Sequence, residues 1–358
     1  MKRRIIQYTT VVLAFLAGMI FMTYMTRMGN RDMTGDMAQA QLPVVHAEQD
    51  GILYNEIHGY VEDMDGASMR DSVIGVSEDH KVGLALEKYN AQIKSVSYEV
   101  RSLDMSRLIE GGDDLQAEDD GKYLHISLTL KDLLTQGEEY LLVLKVQTED
   151  QDLVRFYSIL TYLGTNHVQD CVDFAQRFHE MTLTGDSDGV LNYLEQDGSM
   201  DGKNLGYINI HSRSGPVTWG DMQVEQTGDI SLRFTELESD ITALTMEYQV
   251  TNTETSEQYQ VREAYRLRYT STRIYLLAYE RWTDKILEPG RQLVEDGKLS
   301  FGIQSSEPVY MKNTEENVVG FVQQGQLWSY DYGQNRLSLV YGFTDGQDGR
   351  ADWKEHDF

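Results

Sequence analysis

"ITALTMEYQVTNTETSEQYQVREAYRLRYTSTRIYLLAYERW", residues 241–282, decides how this chain is read. It holds three strand-like runs, ITALTMEYQVT, EQYQVREAYRLRYT and TRIYLLAYERW, with the turn-prone NTETS and STR between them. Runs rich in β-branched and aromatic residues, joined by so few others, fold back on one another and predict an antiparallel meander. The two later runs alternate tyrosine with arginine: Tyr259, Tyr265, Tyr269, Tyr275 and Tyr279 with Arg262, Arg266, Arg268, Arg273 and Arg281. Tyr265, Arg268, Arg273 and Tyr275 are the candidate groove residues for a glycan or an anionic polymer. Cross-strand aromatic and Arg/Glu pairs with Glu247, Glu263 and Glu280 would produce the same pattern in an ordinary sheet.

Just upstream the period becomes helical. Val168, Cys171, Val172, Ala175, Phe178 and Thr182 follow i, i+3, i+4, i+7 spacing, with Thr165 or Asn166 as the expected N-cap and Gly185 as the stop. A shorter helix, GVLNYLEQ, follows. A long helix on a meander makes an α+β domain over residues 164–285. The order of FAQRFHEMTLTGDSDGVLNYL and then the meander resembles NTF2-like domains. That resemblance implies a cone of helix on curved sheet, a module often without catalysis and in some members an enzyme with a polar pair in the cone. No such pair is carried over.

Residues 52–163 read as β throughout. Leu124, Ile126, Leu128 and Leu130 share one face, as do Tyr140, Leu142, Leu144 and Val146, and Val96, Tyr98 and Val100 repeat the alternation. LVRFYSILTYL after the turn-prone TEDQD closes a long hairpin, so this region is expected to be an immunoglobulin-like β-sandwich, without the Cys and Trp hallmarks of true immunoglobulin domains.

At the N-terminus, Lys2, Arg3 and Arg4 precede an uncharged run from Ile5 to Met25, long enough to span about 30 Å as a helix. The expectation is a single transmembrane helix at 5–25 that anchors the chain, with residues 1–4 cytoplasmic and the bulk extracytoplasmic, at the cell membrane. The competing reading is a signal peptide cleaved near Ala38-Gln39-Ala40. Residues 26–51, rich in Met, Gly, Asp and Gln, would form a stalk.

Beyond a linker at 286–300, marked by Pro289-Gly290, residues 301–358 hold four short runs: VYM, NVVGFVQ, LWSYDY and RLSLVYGF. Trp328 to Asp331 and the return at Asn335-Arg336-Leu337 resemble a blade of bacterial TolB-like and WD40-like propellers. One blade cannot bury both faces, so the chain is expected to continue beyond Phe358, and Leu337, Leu339, Tyr341 and Phe343 to be partly uncovered. The expected fold class is therefore multi-domain and mainly β, with an N-terminal transmembrane helix, a β-sandwich, a helix-on-sheet domain and a single blade.

The chain of 358 residues carries 31 Lys and Arg against 58 Asp and Glu, a formal charge of -27 that opposes nucleic-acid binding. Its lone cysteine, Cys171, rules out an intramolecular disulfide and a Cys-rich zinc site. Asp186, Asp188 and Glu195 match part of a calcium loop, making calcium the one candidate cofactor, yet Thr184 stands where such loops begin with Asp. The plain alternative has Asp186 capping the next helix. His167 and Cys171, at i and i+4, have the spacing for an imidazole that activates a thiol, although Cys171 sits on the apolar stripe. The acidic EGGDDLQAEDDG reads as a solvated loop. No phosphate-cradling glycine loop, serine elbow or HExxH motif is present.

These features point to a non-enzymatic binding or scaffold module at the bacterial cell envelope, with an envelope polymer or a protein as partner. The alternatives are an enzyme whose site lies in further blades or in the α+β cone, and a sensor or assembly subunit acting through its span.

Overall fold

The computed structural model describes residues 15–16, 18–19 and 42–342, apart from 70–71, 90, 114, 116, 150–152, 198–204, 291–292 and 296–297. Among the described residues two compact units emerge: residues 42–286 with 302–306, and residues 287–301 with 307–342.

The expected fold class needs correction. The fold is mainly β, with three five-stranded sheets, one four-stranded sheet and one two-stranded ribbon. Among the described residues no helix is long and apolar enough to cross a membrane, so the transmembrane helix in the expected fold class is not supported. Of the run at 5–25, only Phe15, Leu16, Gly18 and Met19 are described, and the rest lies outside the described residues.

In the first unit ten strands come first: β1 (Val44–Gln49), β2 (Ile52–His58), β3 (Val73–Ser77), β4 (Lys81–Glu87), β5 (Ile93–Ser102), β6 (Leu108–Gly112), β7 (Ala117–Asp119), β8 (Tyr123–Thr129), β9 (Glu139–Thr148) and β10 (Leu153–Gly164). They form two sheets, ordered β2-β1-β4-β8-β7 and β3-β10-β9-β5-β6, with β3 and β10 parallel and the other pairs antiparallel. Leu84, Leu86, Ile126 and Leu128 from one sheet, and Val100, Leu142, Leu144 and Phe156 from the other, belong to a single hydrophobic cluster. β9 is buried on both faces from Tyr140 to Leu144, which its unbroken apolar run requires.

The chain then forms α1 (Val168–Leu183), α2 (Ser187–Leu191), β11 (Tyr207–Asn209), α3 (Ser214–Val217), β12 (Val224–Leu237), β13 (Ile241–Asn252), β14 (Gln258–Tyr269) and β15 (Ile274–Lys285). These strands make the third sheet, ordered β11-β15-β14-β13-β12 and antiparallel throughout. All six stripe residues of α1 are buried, together with Phe174 and His179. The helix begins one residue later than expected, with His167 at the N-cap and no side-chain cap. Asn166 is engaged elsewhere: its side chain donates to Gln49 Oε1 at 3.1 Å and to Ser77 Oγ at 2.9 Å. Gly185 adopts the left-handed φ of 75° that ends the helix without a Cβ clash.

Asn55 ties the third sheet to the first two. At φ 53°, a conformation asparagine tolerates better than most residues, its Nδ2 donates to Val73 O at 2.7 Å and its Oδ1 accepts from Phe234 N at 2.6 Å. It is fully buried, and the β1–β2 register slips beside it, so a local bulge aims this one amide at both neighbours.

The second unit contains β16 (Val294–Glu295), β17 (Lys298–Leu299), β18 (Val309–Lys312), β19 (Val318–Gln323), β20 (Gln326–Asp331) and β21 (Arg336–Tyr341). The last four form an antiparallel sheet in sequence order. Leu337 and Leu339 are buried, contrary to expectation, because Leu287, Leu293 and Phe301 from the preceding segment pack against the Phe321, Trp328 and Tyr330 face. Tyr341 is exposed, and Phe343 lies outside the described residues.

Candidate functional site

The third sheet has two chemically different faces, set by strand alternation. Cross-strand neighbours on the inward face run Leu244, Tyr265, Tyr279; then Met246, Glu263, Arg281; then Tyr248, Val261, Thr283. α1 lies over them: the Phe178 ring is 4.8 Å from the Tyr279 ring and the His179 ring 4.4 Å from that of Tyr248.

A carboxylate and a guanidinium thus stand side by side with no exposed surface, Glu263 and Arg281 both at 0%. Such charges persist only if paired. Tyr265 Oη donates to Glu263 Oε2 and Tyr279 Oη to Oε1, each at 2.7 Å. His179 Nδ1 lies 3.3 Å from Oε2, and His179 Nε2 is 2.9 Å from Gln226 Oε1. Burial pulls the His179 imidazole down, but the Glu263 carboxylate and Gln226 outweigh it and hold it above its ordinary value. Burial raises the Glu263 carboxyl, yet His179, Arg281 and the Tyr265 hydroxyl bring it below the ordinary range. The consistent state is an ion pair, imidazolium with carboxylate.

Arg281 performs a different task. Its two terminal nitrogens donate to Val217 O at 2.7 Å and Pro216 O at 2.9 Å, carbonyls at the end of α3, the second of which also accepts from Trp219 N at 3.2 Å. Its guanidinium also lies 3.9 Å from the Trp219 ring centre. Every group of this network is enclosed by its own neighbours, so the arrangement orients α1 and α3 on the sheet and exposes no atom for chemistry on a substrate.

The outward face is open. Arg262, Arg266 and Arg268 stand exposed at alternate positions of β14, with Ala264 between the first two, and Arg273 and Tyr275 are exposed at the hairpin. Arg266 is held by a two-pronged pair with Glu236, both contacts at 2.9 Å. Arg262 lies 4.3 Å from the Trp282 ring centre and Arg273 3.8 Å from that of Tyr275. Among the described residues, Arg262, Arg268 and Arg273 have no carboxylate partner. Of the groove residues read from sequence, Arg268, Arg273 and Tyr275 come together here, while Tyr265 points inward and is buried. Glu263 and Arg281 carried a signal that the sequence reading missed: each interrupts an inward alternation, Tyr259-Val261-Glu263-Tyr265 and Tyr279-Arg281-Thr283.

The remaining candidates are dispersed. Asp186 Oδ1 accepts from Gly189 N at 2.9 Å and caps α2, whereas the backbone carbonyl of Glu195 is 2.8 Å from His211 Nδ1. Asp188 sits in the first turn of α2, and no group of three His, Cys, Asp or Glu among the described residues is placed to hold a metal. The His167 ring stacks on Tyr269 at 3.4 Å, with Nδ1 3.3 Å from Asp170 Oδ2. Cys171 is buried, which pushes its thiol up to about 11 despite a bond to Thr242, so it stays protonated and inert. A cleft of about 480 Å³ lies at one end of the first two sheets, lined by Lys88, Tyr89, Ile93, Lys94, Leu115 and Asp119; Lys88 is already bound to Asp119 at 2.5 Å.

No protein-family model and no curated protein matches the chain. Among solved structures, the crystal structure of an engineered protein from a structural-genomics consortium is similar over 35% of this chain, at 13% identity and a TM-score of 0.22. The match spans 21% of that protein's own length and carries no argument about fold or function.

Proposed function

We propose that the chain is a non-enzymatic binding module working outside the cytoplasm at the bacterial cell envelope, and that the outward face of the third sheet is its ligand surface. The observation that carries this reading is the division of polar chemistry between the two faces. Inside, the His179 ring stands against the Glu263 carboxylate, and Arg281 donates to the Val217 and Pro216 carbonyls at the end of α3. Outside, arginines and aromatic rings stand ready on a rigid strand pair, the combination that recurs at binding hot spots. A strand pair fixed by eleven cross-strand partners holds these groups without a further ordering cost. The lone cysteine and the acidic composition agree with an exported protein that works without disulfides.

Co-sedimentation of the full chain with insoluble bacterial cell-wall material tests the reading. The wild-type chain is expected to pellet with the wall, and Trp282→Ala with Tyr275→Ala to release it. A chain that stays in the supernatant with every wall preparation sinks the proposal.

A further inference from the structure

We propose that His125 is a pH-operated clasp on the first sheet: charged, it ties the β7–β8 hairpin to β1, and on losing its proton it lets the edge strand β7 loosen. The ring stands on β8 between two carboxylates from different parts of the fold. Its Nδ1 is 2.8 Å from Glu48 Oε2 on β1, and its Nε2 is 3.2 Å from Asp120 Oδ2 in the turn between β7 and β8. Two acceptors, one at each ring nitrogen, are both served only by the imidazolium, which donates from both. A neutral ring keeps one N–H and turns a lone pair on the other carboxylate.

Nothing nearby replaces the lost charge. Ala85 of β4 is the neighbour of His125 on one side and Glu118 of β7 on the other. Across Ala85 stands His46 of β1, its Nε2 3.6 Å from Glu87 of β4. The Tyr123 ring lies 5.9 Å from the His46 ring and 6.1 Å from that of His125. Both lysines of the region are engaged, Lys122 at 3.6 Å from Glu87 and Lys88 at 2.5 Å from Asp119. Among the described residues no other cation stands within ion-pair distance of Glu48, Glu118 or Asp120. Deprotonation therefore leaves Glu48 and Asp120 against a neutral ring, with Glu118 opposite it on β7.

The direction of the switch follows. Glu48 and then Asp120 hold the His125 imidazole above its ordinary 6.5, against the effect of burial. The Tyr123 amide and then the His125 ring lower the Asp120 carboxyl, which stays ionised while the ring titrates. The clasp is complete below about pH 6.5 and is lost as pH rises through the folded-state value. Asp120 is the arm that lets go: its contact is the longer, and its side chain is 49% exposed against 27% for Glu48. Glu48 is fixed by the pairing of β1 with both β2 and β4. β7 has three residues, lies at the sheet edge and pairs with β8, so it has few bonds to hold it once the clasp opens. Lys88 tethers Asp119 in either state, so the strand loosens while the turn stays attached. Ala117, Asp119 and Gly121 line the cleft, whose wall is what the clasp steadies.

Hydrogen exchange of the full chain, compared as protection factors at about pH 5.5 and about pH 8, is the test, with β9 as the internal reference for global opening. The amides of residues 117–126 are expected to lose at least about tenfold in protection relative to β9 at the higher pH. His125→Gln, which keeps one donor, is expected to show the low protection at both pH values. Asp120→Asn is expected to do the same, and its His125 ring, followed by NMR, to titrate at a lower pH than in the wild type. A wild-type hairpin whose protection keeps pace with β9, or a His125→Gln hairpin that still loses protection as pH rises, overturns the proposal. A His125 midpoint unmoved by Asp120→Asn overturns it as well.

Discussion

Glu263 shows how one residue sets two properties of this molecule. Its carboxylate accepts from two tyrosines and faces an imidazolium, so removing it leaves three polar groups stranded inside. Glu263→Gln is expected to cost about 3–5 kcal/mol of unfolding free energy, the scale for breaking a buried pair, as read by urea titration. The pair also dictates the pH dependence. His179 is held above its ordinary 6.5, so its contribution is complete below that pH and is lost as pH rises through the folded-state value. Glu263 is held below its ordinary 4.5, so its contribution is complete above that pH and is lost as pH falls through the folded-state value. Stability is expected to peak between about pH 4.5 and 6.5. His179→Gln should flatten the alkaline limb; an unaltered profile in that variant would show that the pair is not ionised. The interruption of the inward alternation at Glu263 was in the sequence, but the pairing was not legible, because apart from Tyr265 on β14 itself the partners of Glu263 lie on α1 and β15 and meet it only in the folded domain.

At the scale of elements, α2 and α3 are too short to hold themselves and depend on side chains at their ends. Asp186 caps α2 by accepting from Gly189 N, and Arg281 donates to the last carbonyls of α3. Asp186→Ala is expected to lower stability by about 1 kcal/mol, with added calcium making no difference to the melting temperature of either protein. A calcium-dependent rise in the wild type alone would restore the loop as a metal site. β4 depends on Gly83 in another way: a Cβ there would sit 2.4 Å from Glu48 O, so Gly83→Ala must push β1 and β4 apart. Loss of cooperative unfolding is the expected readout. Helix stripe and strand alternation were readable from 168 to 182 and from 241 to 282 because each pattern is local. The absence of a cap at Thr165 or Asn166 was not, since Asn166 answers to Gln49 and Ser77 more than eighty residues away.

For the molecule as a whole, two separate cores matter more than the number of sheets. Trp219 belongs to a cluster in one unit and Trp328 to the core of the other. Leu293→Ala is expected to destabilise the second unit by about 2–5 kcal/mol and to shift the unfolding signal of Trp328 without moving that of Trp219. The segment around Pro289-Gly290 looked like a linker because its periodicity is broken, yet Leu287, Leu293 and Phe301 recur at no fixed spacing and still meet one sheet face. Irregular chain leaves no period to read, which is why the cover over Leu337 and Leu339 went unseen. The division of labour, a closed ion pair inside the third sheet and open arginines outside it, is the central claim. Its most direct test is a wall-binding isotherm for Glu263→Gln alongside Arg262→Ala/Arg268→Ala/Arg273→Ala, each measured below its own melting temperature. The account predicts that the first variant binds as the wild type does and the second loses binding at least tenfold while keeping its stability. Normal binding by the triple variant, or lost binding by folded Glu263→Gln, would contradict it.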